Sequence, residues 1–317
     1  MRFNPKARLD TSRVSDRGRG GGGGGGFGGG GMQIPIPTGT KAGGGIGAVI
    51  VVILLIVLTQ CVGDSTGGFT LPDDSLDASR VSSDDTGRYD SCRTGEDANN
   101  DPDCARVAVE NSLTSYWSQA LRQQGESFHP EQQLVTFTGS VSTACGAATA
   151  DVGPFYCPAD EVIYLDTTFF PEVLQQGLGG PSGDFVEPYV LAHEYGHHIQ
   201  NLLGTMGRVR TQQGPTSDAV RLELQADCYA GIWAGKATTT TDELGEPLLV
   251  DITEDDMAQA VAAAKSVGDD RIQQQSGQQV NPEGWTHGSA EQRQRWFLTG
   301  VQQGTLEACD TFSASQL

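Results

Sequence analysis

The sequence predicts an α+β domain preceded by a single transmembrane helix. Three observations predict it: an uncharged apolar stretch near the N-terminus, two short strand-like runs in mid-chain, and a series of helical periodicities, two of which carry histidines or carboxylates four residues apart.

Taken in order along the 317 residues, the chain opens on a basic, glycine-rich lead (1–42). Gly20–Gly26 and Gly28–Gly31, broken only by Phe27, offer almost no side chain to bury and the highest backbone entropy to lose, so the lead is expected to be disordered. Residues 1–45 hold seven basic side chains against Asp10 and Asp16, leaving 13 basic and 38 acidic residues in the rest of the chain, a net of -25. So acidic a body argues against nucleic acid as a partner. The basic lead suits an anionic inner leaflet.

From Gly43 to Val62 there is no charge. Twenty helical residues span about 30 Å, the thickness of the hydrocarbon layer, so a transmembrane helix is expected over 43–62. A buried core segment and a cleaved signal peptide are the alternatives. The first would have nothing local to pack against, and the second would follow an unusually long lead with no small-x-small site after it. The flanking charges predict a cytoplasmic N-terminus and an extracytoplasmic remainder. A polar linker is expected over 63–101 and the folded domain over 102–317.

The seven cysteines fit an oxidising compartment. Cys92 with Cys104 and Cys145 with Cys157 could each close a small loop, and Cys228 with Cys309 a longer one, leaving Cys61 over. Some could equally be buried thiols. No CxxC is present.

Within the domain, apolar spacing predicts a helix over 105–124. Gln133–Phe137 and Val162–Leu165 read as strands, the second a candidate edge for pairing with an extended peptide. Helices follow over Tyr189–Leu203, Ser217–Ala234, Thr253–Ser266 and Ser289–Leu298, the last two opening on N-capping residues.

The first of these four helices carries His193-Glu194-Tyr195-Gly196-His197. Four-residue spacing sets both imidazoles one turn apart on one face, where they can share a zinc ion. Glu194 falls beside that ion, placed to take a proton from a bound water. A catalytic zinc needs a third protein ligand. Glu223, on the next helix, can supply it, and Asp227 one turn on can accept the Nδ1–H of a ligating histidine. Glutamates are also common on solvated helix faces.

The sequence resembles the bacterial neutral zinc metallopeptidases, membrane-anchored proteins of the gluzincin group. The resemblance is carried by the basic start, the membrane stretch, Gly153–Asp160, Tyr164–Asp166, Tyr189–Gln200, Glu223–Gly231 and Thr286–Phe297. It implies a zincin-like α+β domain with one zinc per chain held by His193, His197 and Glu223, acting on a peptide or protein substrate at the cell membrane. It also suggests His287 as a stabiliser of the reaction oxyanion, though capping of the last helix is an equal alternative. Tyr156 and Tyr164 are weaker candidates for that role. His198, about 100° around the helix from its neighbour, reads as a supporting residue. The alternative functions are a non-catalytic zinc-containing envelope scaffold, which Glu194 argues against, and a surface adhesion module, which metal content would exclude.

Overall fold

The computed structural model describes residues 1–19 and 85–317; the Gly43–Val62 stretch, Cys61 and most of the expected linker lie outside the described residues. The elements in chain order are β1 (Arg2–Phe3), β2 (Val14–Arg19), α1 (Gly95–Asn100), α2 (Pro102–Gln123), β3 (Gln133–Thr138), β4 (Ser140–Thr143), β5 (Gly146–Thr149), β6 (Phe155–Cys157) and β7 (Val162–Asp166). A π-helical stretch (Phe169–Gly177) precedes α3 (Val186–Leu202), α4 (Asp218–Lys236), β8 (Leu249–Asp251), α5 (Glu254–Ser266), α6 (Asp269–Gln275) and α7 (Ala290–Gln303).

A four-stranded mixed sheet, ordered β2-β3-β7-β6, organises these elements. β2, β3 and β7 run parallel and β6 antiparallel to β7. Both faces of the sheet are covered. Leu134, Ile163 and Leu165 belong to the main core with the helices, whereas Val135, Phe137, Val162 and Tyr164 face a smaller core under the β4–β5 hairpin. The alternation follows from the two-residue side-chain period of a strand. Cys145–Cys157 closes the smaller core, and Cys92–Cys104 and Cys228–Cys309 are also bonded, so the three pairings open to the sequence are the ones formed.

The five helices expected from periodicity all form, α7 running on to Gln303, whereas α1, α6 and the π-helical stretch were not foreseen. Pro102 opens α2 behind the Asp101 cap, Ser217 caps α4, and Thr253 and Ser289 cap α5 and α7 through reciprocal capping boxes. Such caps satisfy backbone donors that the first helical turn leaves unpaired.

Two boundaries and one strand differ from expectation. Residues 1–19 are not disordered: β2 joins the central sheet, β1 pairs with β8, and Phe3, Ala7 and Val14 are buried in the main core. The entropic penalty of polyglycine begins only at Gly20, and the residues before it carry side chains that find partners. The domain also begins before residue 102, because Tyr89 and Cys92 are buried and α1 carries its own capping box. Finally, Val162–Leu165 lies inside the sheet. The sheet edge beside it is β6, laid down by the turn through Gly153 and Pro154, and β2 forms the opposite edge.

Among the described residues, no helix is long and apolar enough to cross a membrane.

Candidate metal centre

The site is built where α3 and α4 cross. At Gly196, inside the histidine motif, an added Cβ would stand 3.1 Å from the Cα and carbonyl oxygen of Ala226. A side chain at this position would crowd the Ala226 backbone, so glycine favours the close approach. That approach carries Glu223, one turn before Ala226, up to the two imidazoles. On its far side α4 packs more tightly still against α7, where an added Cβ at Gly231 or Gly300 would overlap the other helix's backbone.

His193 Nε2 lies 3.2 Å from one Glu223 oxygen and His197 Nε2 lies 3.5 Å from the other. One donor atom from each of the three residues falls within 4.8 Å of the others. Two imidazole nitrogens and a carboxylate oxygen, so gathered and turned inward, are the donor set of a catalytic zinc with one position left for water or substrate.

Each non-ligating imidazole nitrogen is held. His193 Nδ1 donates to Asp227 Oδ1 at 2.9 Å, and His197 Nδ1 donates to Gln200 Oε1 at 2.8 Å. These bonds fix the tautomer that presents Nε2 to a metal. Gln200 is itself fixed, because its Nε2 donates to the Leu222 carbonyl at 2.7 Å. Asp227, fully buried, also accepts from the Tyr189 hydroxyl at 2.6 Å and from Arg293 Nε and Nη2 at 2.8 and 2.9 Å.

Electrostatics sort these groups by partner. Burial opposes ionisation of Asp227, but the Arg293 guanidinium and His193 outweigh it and draw its pKa down to about 2. Burial likewise opposes charge on Glu223, yet His197, His287 and the bond to His193 hold its carboxyl well below the usual range. Burial would lower the His193 pKa, and Asp227 and Glu223 overcome it and raise it to about 10. The cluster therefore attracts positive charge at its centre, as a dication site must. Glu194 behaves differently. Burial pushes its carboxyl up, and His197, His193 and the Tyr156 backbone N–H only partly offset that.

An apolar cavity of about 160 Å³ opens over the cluster, walled by Phe155, Phe169, Val190 and Leu222 and floored by Glu194 and the three candidate ligands. His287 reaches the same cavity from the loop before α7. Its Nδ1 sits 2.8 Å from Thr286 Oγ1 and 3.6 Å from Asp269. Asp269 also accepts the backbone N–H groups of Thr286, His287 and Gly288 at 2.7–2.9 Å, so one carboxylate shapes the whole loop.

The other candidates point elsewhere. His198 is buried and donates through Nε2 to the His129 carbonyl, while Nδ1 accepts from the Tyr156 hydroxyl at 3.0 Å. It thus ties α3 to β6 and makes no bond to the three candidate ligands. Tyr156 lines the cavity, but its hydroxyl is committed to His198 and Asn201. Tyr164 lies in the smaller core, bonded to Asp160. Sequence reasoning did not single out Gln200, Asp269 or Arg293. Gln200 had a signal, standing one turn after His197, and Arg293 lay inside the Thr286–Phe297 run. Asp269 had none.

Fold and site together define a zinc-dependent hydrolase of the HExxH type. The chain belongs to the family described as "Putative neutral zinc metallopeptidase", whose pattern it matches over residues 1–312; it is a zinc metallopeptidase with one zinc site formed by His193, His197 and Glu223. It is 51% identical over 228 residues to the uncharacterised protein Rv2575 of Mycobacterium tuberculosis, covering 71% of this chain and 76% of the relative. Its identity to the uncharacterised protein YpfJ of Escherichia coli is 40% over 205 residues, covering 63% and 67%. No solved structure matches the chain.

Proposed function

We propose that the protein is an endopeptidase that binds an extended peptide along β6 and hydrolyses it with Glu194 as general base, at a membrane to which the Gly43–Val62 stretch attaches it. The observation that carries this reading is the buried Glu194 carboxyl beside three converging ligand atoms, at the base of an apolar cavity lined in part by β6, the last strand of the sheet. Bound zinc supplies Lewis acidity and lowers the pKa of water.

Glu194, with its raised pKa, accepts the proton from the attacking water and returns it to the departing amine. His287, held through Nδ1 by Thr286 and Asp269 and lining the cavity, supplies a donor for the developing oxyanion. Asp227 and Gln200 keep the ligating imidazoles oriented. The walls at Phe155, Phe169 and Leu222 favour an apolar substrate side chain. A non-catalytic zinc scaffold would have no use for a buried general base at this place.

The test is hydrolysis of a mixed peptide library by the zinc-loaded full chain, with and without chelator, beside Glu194→Gln. The variant should keep its zinc and lose about 10²- to 10⁴-fold in kcat. Turnover near the wild-type rate by zinc-loaded Glu194→Gln would refute the assigned role. Wild-type protein that holds zinc and cleaves nothing would favour the scaffold.

A further inference from the structure

Residues 1–19 precede a glycine run and an apolar stretch long enough to span a membrane, yet they are built into the peptidase domain. Val14, Ser15 and Asp16 pair in parallel with Leu134, Val135 and Thr136, and Leu134 N–H donates to the Arg13 carbonyl at 2.7 Å. Asp10 and Asn111 exchange two hydrogen bonds, the Asp10 N–H donating at 2.7 Å and the Asn111 amide returning one at 2.9 Å, which fixes the segment to α2. The Asp16 carboxylate is 4% exposed and accepts from Thr136 at 2.7 Å and Thr86 at 2.6 Å.

Charge gives a second, independent reason. Arg13 Nε donates to Glu110 at 2.9 Å. Glu110 is buried in α2 next to Glu131, whose carboxylate oxygens are both enclosed without a hydrogen-bond donor. Thr114 links Glu110 at 2.9 Å to the Tyr195 hydroxyl at 3.0 Å, and Tyr195 is the residue after Glu194 on α3. Removing the segment would leave two neighbouring buried carboxyls without the guanidinium, directly behind the zinc helix. Stranding a buried charge in this way is strongly destabilising. It would also open the outer edge of β3 and uncover Leu134, and unpaired edges are liable to aggregate.

We infer that residues 1–19 are a constitutive strand of the peptidase domain, docked within their own chain and on the same side of the membrane as residues 85–317. A single crossing by the intervening residues would put β2 and β3 on opposite faces of the bilayer, where they could not exchange hydrogen bonds. The expected arrangement, with a cytoplasmic N-terminus and an extracytoplasmic domain, is incompatible with this sheet. The family match begins within the same segment, which sets it inside the pattern shared by the family.

Two measurements on the full chain decide the matter. In a Cys61→Ser background, Arg19→Cys and Thr138→Cys place thiols at directly paired positions of β2 and β3. A short bis-maleimide should join them within one chain, giving a monomer of added linker mass with the two peptides linked. A crosslinked dimer would mean that the strand comes from a second copy, and no crosslink would mean that it is undocked; either overturns the inference. In intact cells, single cysteines at the exposed positions Lys6 and Gln302 should react alike with a membrane-impermeant maleimide. Labelling of one and protection of the other would overturn the same-side placement. Neither readout depends on hydrolysis.

Discussion

On one side of α3 the carboxyls of Glu223 and Asp227 have their pKa values lowered, while on the other side that of Glu131 is raised. All three are at most 6% exposed, so burial works against charge in each case. What differs is the company. Glu223 and Asp227 face imidazoles and a guanidinium, and their pKa values fall. Glu131 faces Glu110, and the combined effect of burial and that like charge drives its pKa well above the ordinary value, which Arg13 only partly counters. A buried acid of the first kind is poised to bind a cation, and one of the second kind to keep its proton.

The comparison breaks first at the metal. Glu223→Ala removes both a donor oxygen and the charge that attracts zinc, so its affinity, measured by chelator competition, should fall by more than the ~10- to 100-fold typical of losing an outer partner. Retained affinity would mean that the third ligand lies elsewhere. Asp227→Asn should show that ~10- to 100-fold loss itself. It should also lower the melting temperature, because Arg293 would be left buried with no carboxylate opposite. An unchanged affinity would detach Asp227 from the His193 tautomer. Gln200→Leu removes a neutral acceptor from His197, and the expected loss is smaller, about tenfold. If it equalled that of Asp227→Asn, the charge on Asp227 would contribute nothing beyond its geometry.

How far each side could be read from the sequence follows from how local its contacts are. His193, Glu194 and His197 share one helical turn, which the 3.6-residue period made legible; Glu223 and Asp227 share another, but singling out Glu223 among many helix glutamates rested partly on the family resemblance. Their convergence was not visible in the sequence, because it depends on Gly196 meeting Ala226. Arg293 reaches Asp227 across 66 residues and β2 reaches β3 across about 120, and no periodicity encodes such pairings. β6 is three residues long, too short to announce itself, although the unbroken apolar run of Val162–Leu165 was already the mark of a strand buried on both faces.

The last prediction, read in stability and not in metal affinity, tests the acid pair directly. Because the folded-state pKa of Glu131 is raised, the stability it contributes is fully present below the ordinary value of 4.5 and is lost as pH rises through the folded value. Glu131→Gln keeps the shape and a donor but cannot ionise. Near pH 4, below the ordinary value, the variant and the wild type should melt together. Towards alkaline pH the wild type should fall behind by roughly 1–3 kcal/mol, the range for a buried polar group left unsatisfied. Parallel melting curves across the whole range would show that Glu131 ionises freely. In that case Arg13 alone would balance both acids, and the segment carrying it would matter to the zinc helix even more.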